Sequence, residues 1–385
     1  GAIVLDNAGN NFNDVTFKGG GNVYDNSTFS GRVDVGGDFY VHNTQVMNKL
    51  NVLGDLTIAN ASSSSINRLD IGGDGSINGS NSIDSLILST GREYQFQDGN
   101  TQTINNHIEA IGTCADFIWL ISNNEGSQAT ISMPASATLA VQYANMRDLV
   151  GTGGANMIVN NTIDYGNNSG WTINSPSGQD LYWVGGTGSW SDASHWSTTS
   201  GGSGGCVPTL SDNVIFDANS FNGAGQVVTV NTHAYCNDMT WTGVTFDPKL
   251  VGVNSIDLNI YGSLTLAADM DFDFGGVSSS NNEIRFRATT TGETIDMAGQ
   301  MFHEYLFFEG AGGEWTLQND LFAADTTSGY RIDLLEGTLI TNGYDIRVFR
   351  FESDGSGVRE LQLGASTIRI TGYNSNCWDL STTTN

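Results

Sequence analysis

The sequence predicts an all-β protein in which parallel β-helix (β-solenoid) segments flank a small β module that contains tryptophan and cysteine. The composition is the first reason: the 385 residues include 49 Gly and only 4 Pro. Gly and Asn favour turns, and the abundant Val, Ile, Phe and Thr favour strands. The second reason is that short apolar patterns followed by glycine recur along the chain, which is typical of repeat architectures.

The first repeat extends from Val15 to Phe96. Each copy has two apolar residues two positions apart, then a glycine corner, then a second short strand. The copies start at positions 15, 33, 50, 69 and 86, so they are 17 to 19 residues apart. One copy cannot bury its apolar face alone, whereas stacked copies bury a continuous core between parallel sheets. We therefore predict a β-solenoid over residues 1–178.

A second repeat with longer rungs occupies residues 242–385. Its strand–glycine–strand pattern starts at positions 258, 284, 306, 332 and 361. The wider spacing predicts larger rungs, because insertions in such repeats form loops on one face. Together the two segments would hold roughly 15 rungs.

Residues 179–241 differ from both repeats and are predicted to form a compact module rather than a rung. They hold four of the eight Trp residues, namely Trp183, Trp190, Trp196 and Trp241. They also hold Cys206 and Cys236, which we expect to form a disulfide bond, because the glycine-rich run before Cys206 gives the backbone freedom to meet the bond's geometry. Cys114 and Cys377 lie in opposite halves of the chain, and we expect no bond between them.

Charge limits the partners. The chain carries 41 Asp and Glu against 14 Lys and Arg, a formal charge of −27. Nucleic acid and anionic lipid both need cationic contacts, so neither is an expected partner. No apolar run approaches the ~20 residues of a membrane helix, so no membrane insertion is expected in this segment. The N-terminus has no signal-peptide pattern, and we expect that a signal was removed or that the chain comes from a longer protein.

The central sequence resembles a known family. The most specific stretches are Leu181-Tyr-Trp-Val-Gly-Gly-Thr-Gly-Ser-Trp190, the run Asp212-Asn-Val-Ile-Phe-Asp-Ala-Asn-Ser-Phe221, and Cys236-Asn-Asp-Met-Thr-Trp241. They resemble the repeat unit of very large surface adhesins of Bacteroidetes, which include gliding-motility adhesins and surface-filament proteins exported by the type IX secretion system. The resemblance covers most of residues 104–370.

The resemblance implies a secreted, extracellular protein of the bacterial cell surface. The chain would be one segment of a long repetitive filament that mediates attachment to surfaces or to other cells. Its partners would be other copies of itself, in a homo-oligomer, and surface glycans. The family supplies no catalytic residues, so we expect a protein that is not an enzyme and needs no cofactor. No export tail is recognisable at 381–385, which fits an internal segment.

Two alternatives use the same scaffold. The first is a carbohydrate-binding module, for which Trp190 and Trp196 are candidate sugar-stacking residues. A hydrophobic core is the competing role for these rings, because a small module has few other ways to bury area. The second is a polysaccharide-degrading β-helix enzyme, which is disfavoured because so few basic residues are available to neutralise an acidic sugar.

Three short patterns are candidate sites. Ser191–His195 contains Ser, Asp and His, but a triad draws these groups from different elements, so we expect a structural turn. Asp212, Asp217 and Asn219 offer oxygen ligands for calcium without the spacing of an EF-hand. Asp269, Asp271 and Asp273 alternate with apolar residues, which predicts a strand with a solvated acidic face.

Overall fold

The computed structural model describes residues 3–6, 11–24, 26–43, 45–59, 63–275, 282–323, 329–373 and 377–379. Positions 381–385, where we found no export tail, lie outside this set. The described residues form a parallel β-solenoid of about 15 turns, which confirms the predicted fold class. Contacts divide the chain into two compact units, Gly1–Pro176 and Ser177–Asn385. In the described part, the one helical element is a 3-10 turn at Ala193–His195.

Two parallel sheets form the first unit. The strands of one sheet are Ile3–Asp6, Gly21–Tyr24, Phe39–Val41, Leu56–Ile58, Gly75–Ile77, Glu93–Phe96, Ile118–Ser122, Ala144–Arg147 and Ile163–Asp164. The strands of the other are Asn11–Phe12, Val15–Phe17, Thr28–Val35, Val46–Val52, Ser65–Ile71, Ser82–Leu88, Thr101–Ile111, Ala129–Ser132, Thr138–Gln142, Leu149–Thr152, Ile158–Asn160 and Thr172–Asn174. Successive coils add a strand to the first sheet and one or two strands to the second, so apolar side chains that alternate along each strand meet in the space between the sheets.

The register of the first unit matches the repeat in the sequence residue by residue. The predicted rung starts are successive partners in the sheet, in the order Val15, Val33, Leu50, Leu69 and Leu86. The last four of these side chains are fully buried. The apolar spacing therefore predicts both the fold and the pairing, because a slip of one residue would turn the buried side chains to solvent.

Aspartates connect the coils at one corner of this unit. The Asp55 backbone N–H donates to Asp38 Oδ1 at 3.1 Å, and the Asp74 N–H donates to Asp55 Oδ1 at 2.8 Å. The preceding glycines make this stacking possible. A Cβ atom added at Gly73 would lie 2.5 Å from the carbonyl carbon of Gly54 in the coil beneath. A side chain at this corner would therefore collide with backbone.

A second ladder, of buried amides and hydroxyls, connects the coils elsewhere in the first unit. Gln45 Oε1 accepts from the Ser27 N–H at 3.1 Å, and Ser64 Oγ accepts from the Gln45 N–H at 3.2 Å. Asn81 Oδ1 accepts from the Ser64 N–H at 2.9 Å, and its Nδ2 donates to Gln102 Oε1 at 3.0 Å. Each buried polar group thus has a partner in the next coil, which offsets the cost of removing it from water.

The second unit has one large sheet and two small ones. The large sheet contains Asp180–Trp183, Trp196–Ser197, Asn213–Ile215, Ala234–Cys236, Met239–Thr240, Asp257–Ile260, Leu264–Thr265, Glu283–Phe286, Glu293–Asp296, Tyr305–Leu317, Arg331–Ile340, Arg350–Glu352, Arg359–Gln362 and Trp378–Asp379. One small sheet contains Gly188–Ser189, Val227–Val230, Lys249–Gly252 and Asp271–Asp273; the other contains Met301–Phe302, Leu321–Ala323, Ile346–Val348 and Ile368–Ile370.

The predicted module at 179–241 is not separate from the repeat that follows it. Asp180–Trp183 pairs in parallel with Asn213–Ile215, which pairs with Met239–Thr240, which in turn pairs with Leu264–Thr265. The segment therefore forms the first coils of the second unit rather than an insert. Its coil character is hidden in the sequence, because a long connection at 198–212 interrupts it and Trp replaces the usual aliphatic residues at core positions.

Four of the five predicted rung starts in this unit are also register partners. Leu258 pairs with Ile284, which pairs with Leu306, which pairs with Ile332. The fifth prediction is wrong. The partner of Ile332 in the next coil is Phe351. Leu361 instead pairs with Leu339, seven residues further along the strand Arg331–Ile340. Phe351 and Leu361 both lie in apolar–polar–apolar triplets. Such a triplet does not identify the face of the coil to which its strand belongs.

Candidate functional site

The tryptophans of residues 179–241 form a hydrophobic core. Trp190 and Trp196, the candidate sugar-stacking residues, are 1% and 0% exposed. Their rings meet edge to face with centroids 4.8 Å apart, and the Trp196 indole N–H donates to the Trp190 carbonyl oxygen at 2.7 Å. Trp183 and Trp241 are also fully buried. The core role is therefore the one these rings have, and a sugar cannot reach the two candidate rings in this structure.

The Ser191–His195 segment is the structural turn that we expected. Asp192 caps the 3-10 turn, and its Oδ1 accepts from the Ser194 backbone N–H at 2.9 Å and from its hydroxyl at 2.7 Å. His195 Nδ1 lies 2.7 Å from the Val184 carbonyl oxygen, and its ring stacks on Trp183 at 4.7 Å. These contacts fix the side chains of Asp192 and His195 in local structure.

The three calcium candidates also have structural contacts. Asp212 is 5% exposed, and its carboxylate accepts from the Gln179 N–H at 3.0 Å and from the Thr209 N–H at 2.8 Å. Asp217 Oδ1 accepts from the Asn219 N–H at 2.8 Å. No group of three or more His, Cys, Asp or Glu in the described part of the chain is placed to hold a metal ion.

The acidic alternation at 269–273 gives the predicted solvated face in part, because the strand is Asp271–Asp273 and Asp269 lies exposed in the turn before it. Phe272 is buried, while Asp271 and Asp273 on the same strand are partly exposed. Asp271 pairs with Lys249 of the neighbouring strand. A carboxylate here therefore contributes to pairing between adjacent coils.

The predicted Cys206–Cys236 disulfide bond is wrong. Cys236 is a free thiol, fully buried on the inner side of Ala234–Cys236, and burial raises its pKa. Cys206 is disulfide-bonded, and so is Cys114. Cys377 is a second buried free thiol. Nearness in sequence misled the prediction, because an inward-facing side chain of a coil is enclosed by the core and cannot reach a loop outside it.

Most of the basic residues are balanced by acidic neighbours. In the described part of the chain, at least nine of the 14 Lys and Arg residues form ion pairs, namely Arg32, Lys49, Arg68, Arg147, Lys249, Arg285, Arg287, Arg331 and Arg350. The densest group surrounds Glu309, which accepts from Arg285 at 2.9 Å and Arg287 at 2.8 Å. These residues support the packing of adjacent coils and leave little positive charge for a ligand.

Arg347 and Arg369 are an exception. They are direct register partners on the adjacent strands Ile346–Val348 and Ile368–Ile370. Among the described residues, neither has a carboxylate within ion-pairing distance. With Ile370 and Thr371 they line a groove of about 380 Å³. Two like charges on directly opposed positions repel each other, and an anion bound between them would reduce that repulsion.

Neighbouring groups hold Arg347 in position without neutralising it. Its guanidinium carbon lies 4.9 Å from the centroid of the Phe322 ring, a cation–π contact. Its Nε is buried and has no hydrogen-bond partner in the described structure. The nearest acid along the strand, Asp345, uses Oδ1 to accept from the Thr367 N–H at 2.8 Å. The groove is therefore a partly preorganised cationic site.

Sequence analysis missed this pair, although a signal is present. The triplets Ile346-Arg-Val348 and Ile368-Arg-Ile370 share the pattern apolar–Arg–apolar, and their spacing equals one coil of this part of the chain. Arginines at equal positions of successive coils must lie side by side on the outer face.

The fold and its surface define the chain as a parallel β-solenoid repeat protein. No family model, curated protein or solved structure matches it. In the part of the chain that the structure describes, no helix is long and apolar enough to cross a membrane. The functional assignment below therefore stands on the sequence and the geometry alone.

Proposed function

We propose that this chain is a structural and adhesive protein of the bacterial cell surface, and that it forms one segment of a long repetitive filament. The observation that carries the proposal is the repeated coil-to-coil bonding, as in the Asp38, Asp55 and Asp74 series. Such bonding joins each coil to the next, and a stack of this kind extends by repetition. Extension by repetition is what a filament needs.

Two further observations support this proposal. The residues that could have suggested catalysis, Asp192 and His195, form structural contacts within their own turn. Cys114 and Cys206 are disulfide-bonded, which fits an oxidising, extracellular location. The resemblance of residues 104–370 to surface adhesins exported by the type IX system points to the same setting, including a role in gliding motility.

Attachment can be measured directly. Beads coated with the intact chain are expected to adhere to glass and to a polysaccharide-coated surface several-fold more than beads coated with the heat-unfolded chain. Adhesion that does not depend on folding would contradict the proposal. Hydrolysis of a polysaccharide by the soluble chain would instead favour the β-helix enzyme.

A carbohydrate-binding module is the second candidate function. Arg347 and Arg369 of the groove, which have no carboxylate partner among the described residues, favour it, because a guanidinium group binds oxyanions in a planar, bidentate geometry. A glycan array would separate the two functions, since a module of this kind selects particular sugars, whereas a purely structural segment does not.

A further inference from the structure

We propose that the groove formed by Arg347 and Arg369 binds the carboxylate or sulfate groups of an acidic polysaccharide. This inference rests on the proposed attachment function, and it specifies the kind of ligand that one groove of the protein would bind. It can fail or succeed independently, because binding of a soluble polysaccharide does not require attachment to a surface.

Charge is the first part of the argument. In a chain of net charge −27, a basic residue has many acidic groups available, and most of the basic residues are paired. Arg347 and Arg369 occupy adjacent strands, which lie ~4.8 Å apart in a sheet. Their mutual repulsion lowers stability unless an anion lies between them. An oxyanion bound by both guanidinium groups would remove this repulsion.

The geometry of the site is the second part. The contact between Arg347 and Phe322 limits the freedom of one guanidinium group before a ligand arrives. A side chain that is already held loses less entropy on binding. The groove is partly open to solvent, and in the part of the chain that the structure describes it is lined by the two arginines, Ile370 and Thr371. An open groove suits a chain molecule that enters from the side.

An exposed aromatic ring is the third part. Tyr373 is 84% exposed and lies four residues beyond Arg369 and two beyond Thr371 in the sequence. Its ring is nearly perpendicular to that of Phe349, with centroids 5.8 Å apart, and most of its side chain is exposed to solvent. An exposed aromatic ring in the segment that follows the cationic pair suits a sugar polymer, in which one sugar ring packs on the aromatic group while an acidic substituent binds the guanidinium groups.

The test uses the intact chain and three soluble probes, which are polygalacturonate, dextran sulfate and uncharged dextran. Binding is measured by titration calorimetry at low and at high salt. We expect the wild-type chain to bind at least one acidic probe and not uncharged dextran, with affinity that falls as salt rises. The acidic probe that binds identifies the source of the oxyanion.

The decisive variant is the double substitution R347Q/R369Q, which is expected to lower affinity at least tenfold. Its matched control is R32Q/K49Q. Arg32 and Lys49 are also register partners on an outer face and carry the same charge, but each pairs with a carboxylate. The control is expected to retain affinity within twofold. Equal losses in the two variants, or no binding of either acidic probe by the wild type, would overturn the proposal.

A conservative variant guards against a folding defect. R347K/R369K keeps both charges but loses the planar fork, so affinity should fall by an intermediate amount while thermal unfolding is unchanged. If R347Q/R369Q unfolds early, the Lys variant alone decides: affinity equal to that of the wild type would contradict recognition by guanidinium groups.

Discussion

The two units build the same kind of coil in different ways. Between Val15 and Phe96 the coils of the first unit are 17 to 19 residues long, and hydrogen bonds of 2.8–3.1 Å tie their Asp corners together. In the second unit the step from one coil to the next ranges from 19 residues, between Ile332 and Phe351, to 40, between Gly188 and Val228. The difference shows that stacking tolerates variable length when the extra residues lie outside the sheets.

The hydrophobic cores of the two units also differ in the side chains that fill them. In the first unit Val33, Leu50 and Leu69 occupy equivalent inner positions. The fully buried tryptophans all belong to the second unit, namely Trp183, Trp190, Trp196, Trp241 and Trp315. Because interiors are close-packed, these large rings fill core space that aliphatic side chains fill in the first unit. The first unit thus depends on regular backbone stacking, and the second depends on side-chain volume.

The largest expected effect is the loss of an indole from the second unit. Trp196→Ala should lower the free energy of unfolding by about 3–5 kcal/mol, because it removes fully buried area and leaves a cavity. Denaturant titration followed by hydrogen exchange would report the change, and protection of residues 15–96 should stay the same. The matched control is Trp378→Ala, at a residue that is 43% exposed. Similar losses in the two variants would refute the role assigned to side-chain volume.

The next effect tests the corners of the first unit. In Gly73→Ala the new Cβ would lie 2.5 Å from the Gly54 carbonyl carbon, so the stacked backbone must shift. We expect a loss of about 1–3 kcal/mol. Gly19→Ala serves as the control, because nothing lies within 4 Å of its added Cβ. Thermal melts that do not distinguish the two variants would show that close backbone stacking is not a constraint.

The sequence predicts the first unit better than the second for a physical reason. Where coil length is almost constant, apolar residues that are equally spaced in the sequence occupy equivalent positions in successive coils. The sequence alone therefore predicts that Leu50 and Leu69 are neighbours in the sheet. Where connections vary, spacing no longer identifies the face, and Leu361 was assigned to the wrong strand position. The segment 179–241 was taken as a separate module for the same reason.

The sites follow the same logic. The turn at Asp192 was predictable, because its contacts are local in sequence. The Arg347–Arg369 pair depends on the register of two coils, which the sequence analysis had not aligned there. The wrong prediction of a Cys206–Cys236 disulfide bond has a related cause. The strand Ala234–Cys236 points the Cys236 thiol into the core, and the sequence alone does not show which side chains of this strand are buried.

A third prediction concerns pH and again separates the units. Glu304 of the second unit is fully enclosed, and burial raises its pKa from 4.5 to about 8. The folded state therefore retains a proton that the unfolded state releases, so the free energy of unfolding should fall as pH rises from about 4.5 to about 8. Asp333, whose pKa is also raised mainly by burial, adds to this trend.

Glu304→Gln should flatten that pH dependence, since the amide cannot ionise. Equilibrium unfolding measured between pH 5 and pH 9 would give the slope for each variant. The control is Glu125→Gln in the first unit, where the side chain is 77% exposed, and this change should leave the slope unaltered. A slope that persists in Glu304→Gln would assign the pH dependence to other groups.

The smallest expected effect comes from one bond of the aspartate series. Asp55→Ala removes the acceptor of the Asp74 N–H, and we expect a loss of about 0.5–1.5 kcal/mol in the free energy of unfolding. The loss is limited because this corner is exposed and water can replace the acceptor. It is limited further because Asp55 lies beside Asp74 and Glu93 in a groove of about 360 Å³, so removing its charge relieves repulsion.

Asp55→Asn separates these two contributions, since the amide oxygen can still accept the hydrogen bond while the charge is gone. If the bond matters most, the Asn variant should be at least as stable as the wild type and more stable than the Ala variant. If Ala and Asn are equally stable, the bond contributes nothing measurable.

Asp269→Ala, at an exposed residue of the second unit, should change the free energy of unfolding by less than about 0.5 kcal/mol. A loss at Asp269 as large as at Asp55 would remove the distinction between bonded corners and solvated acidic faces.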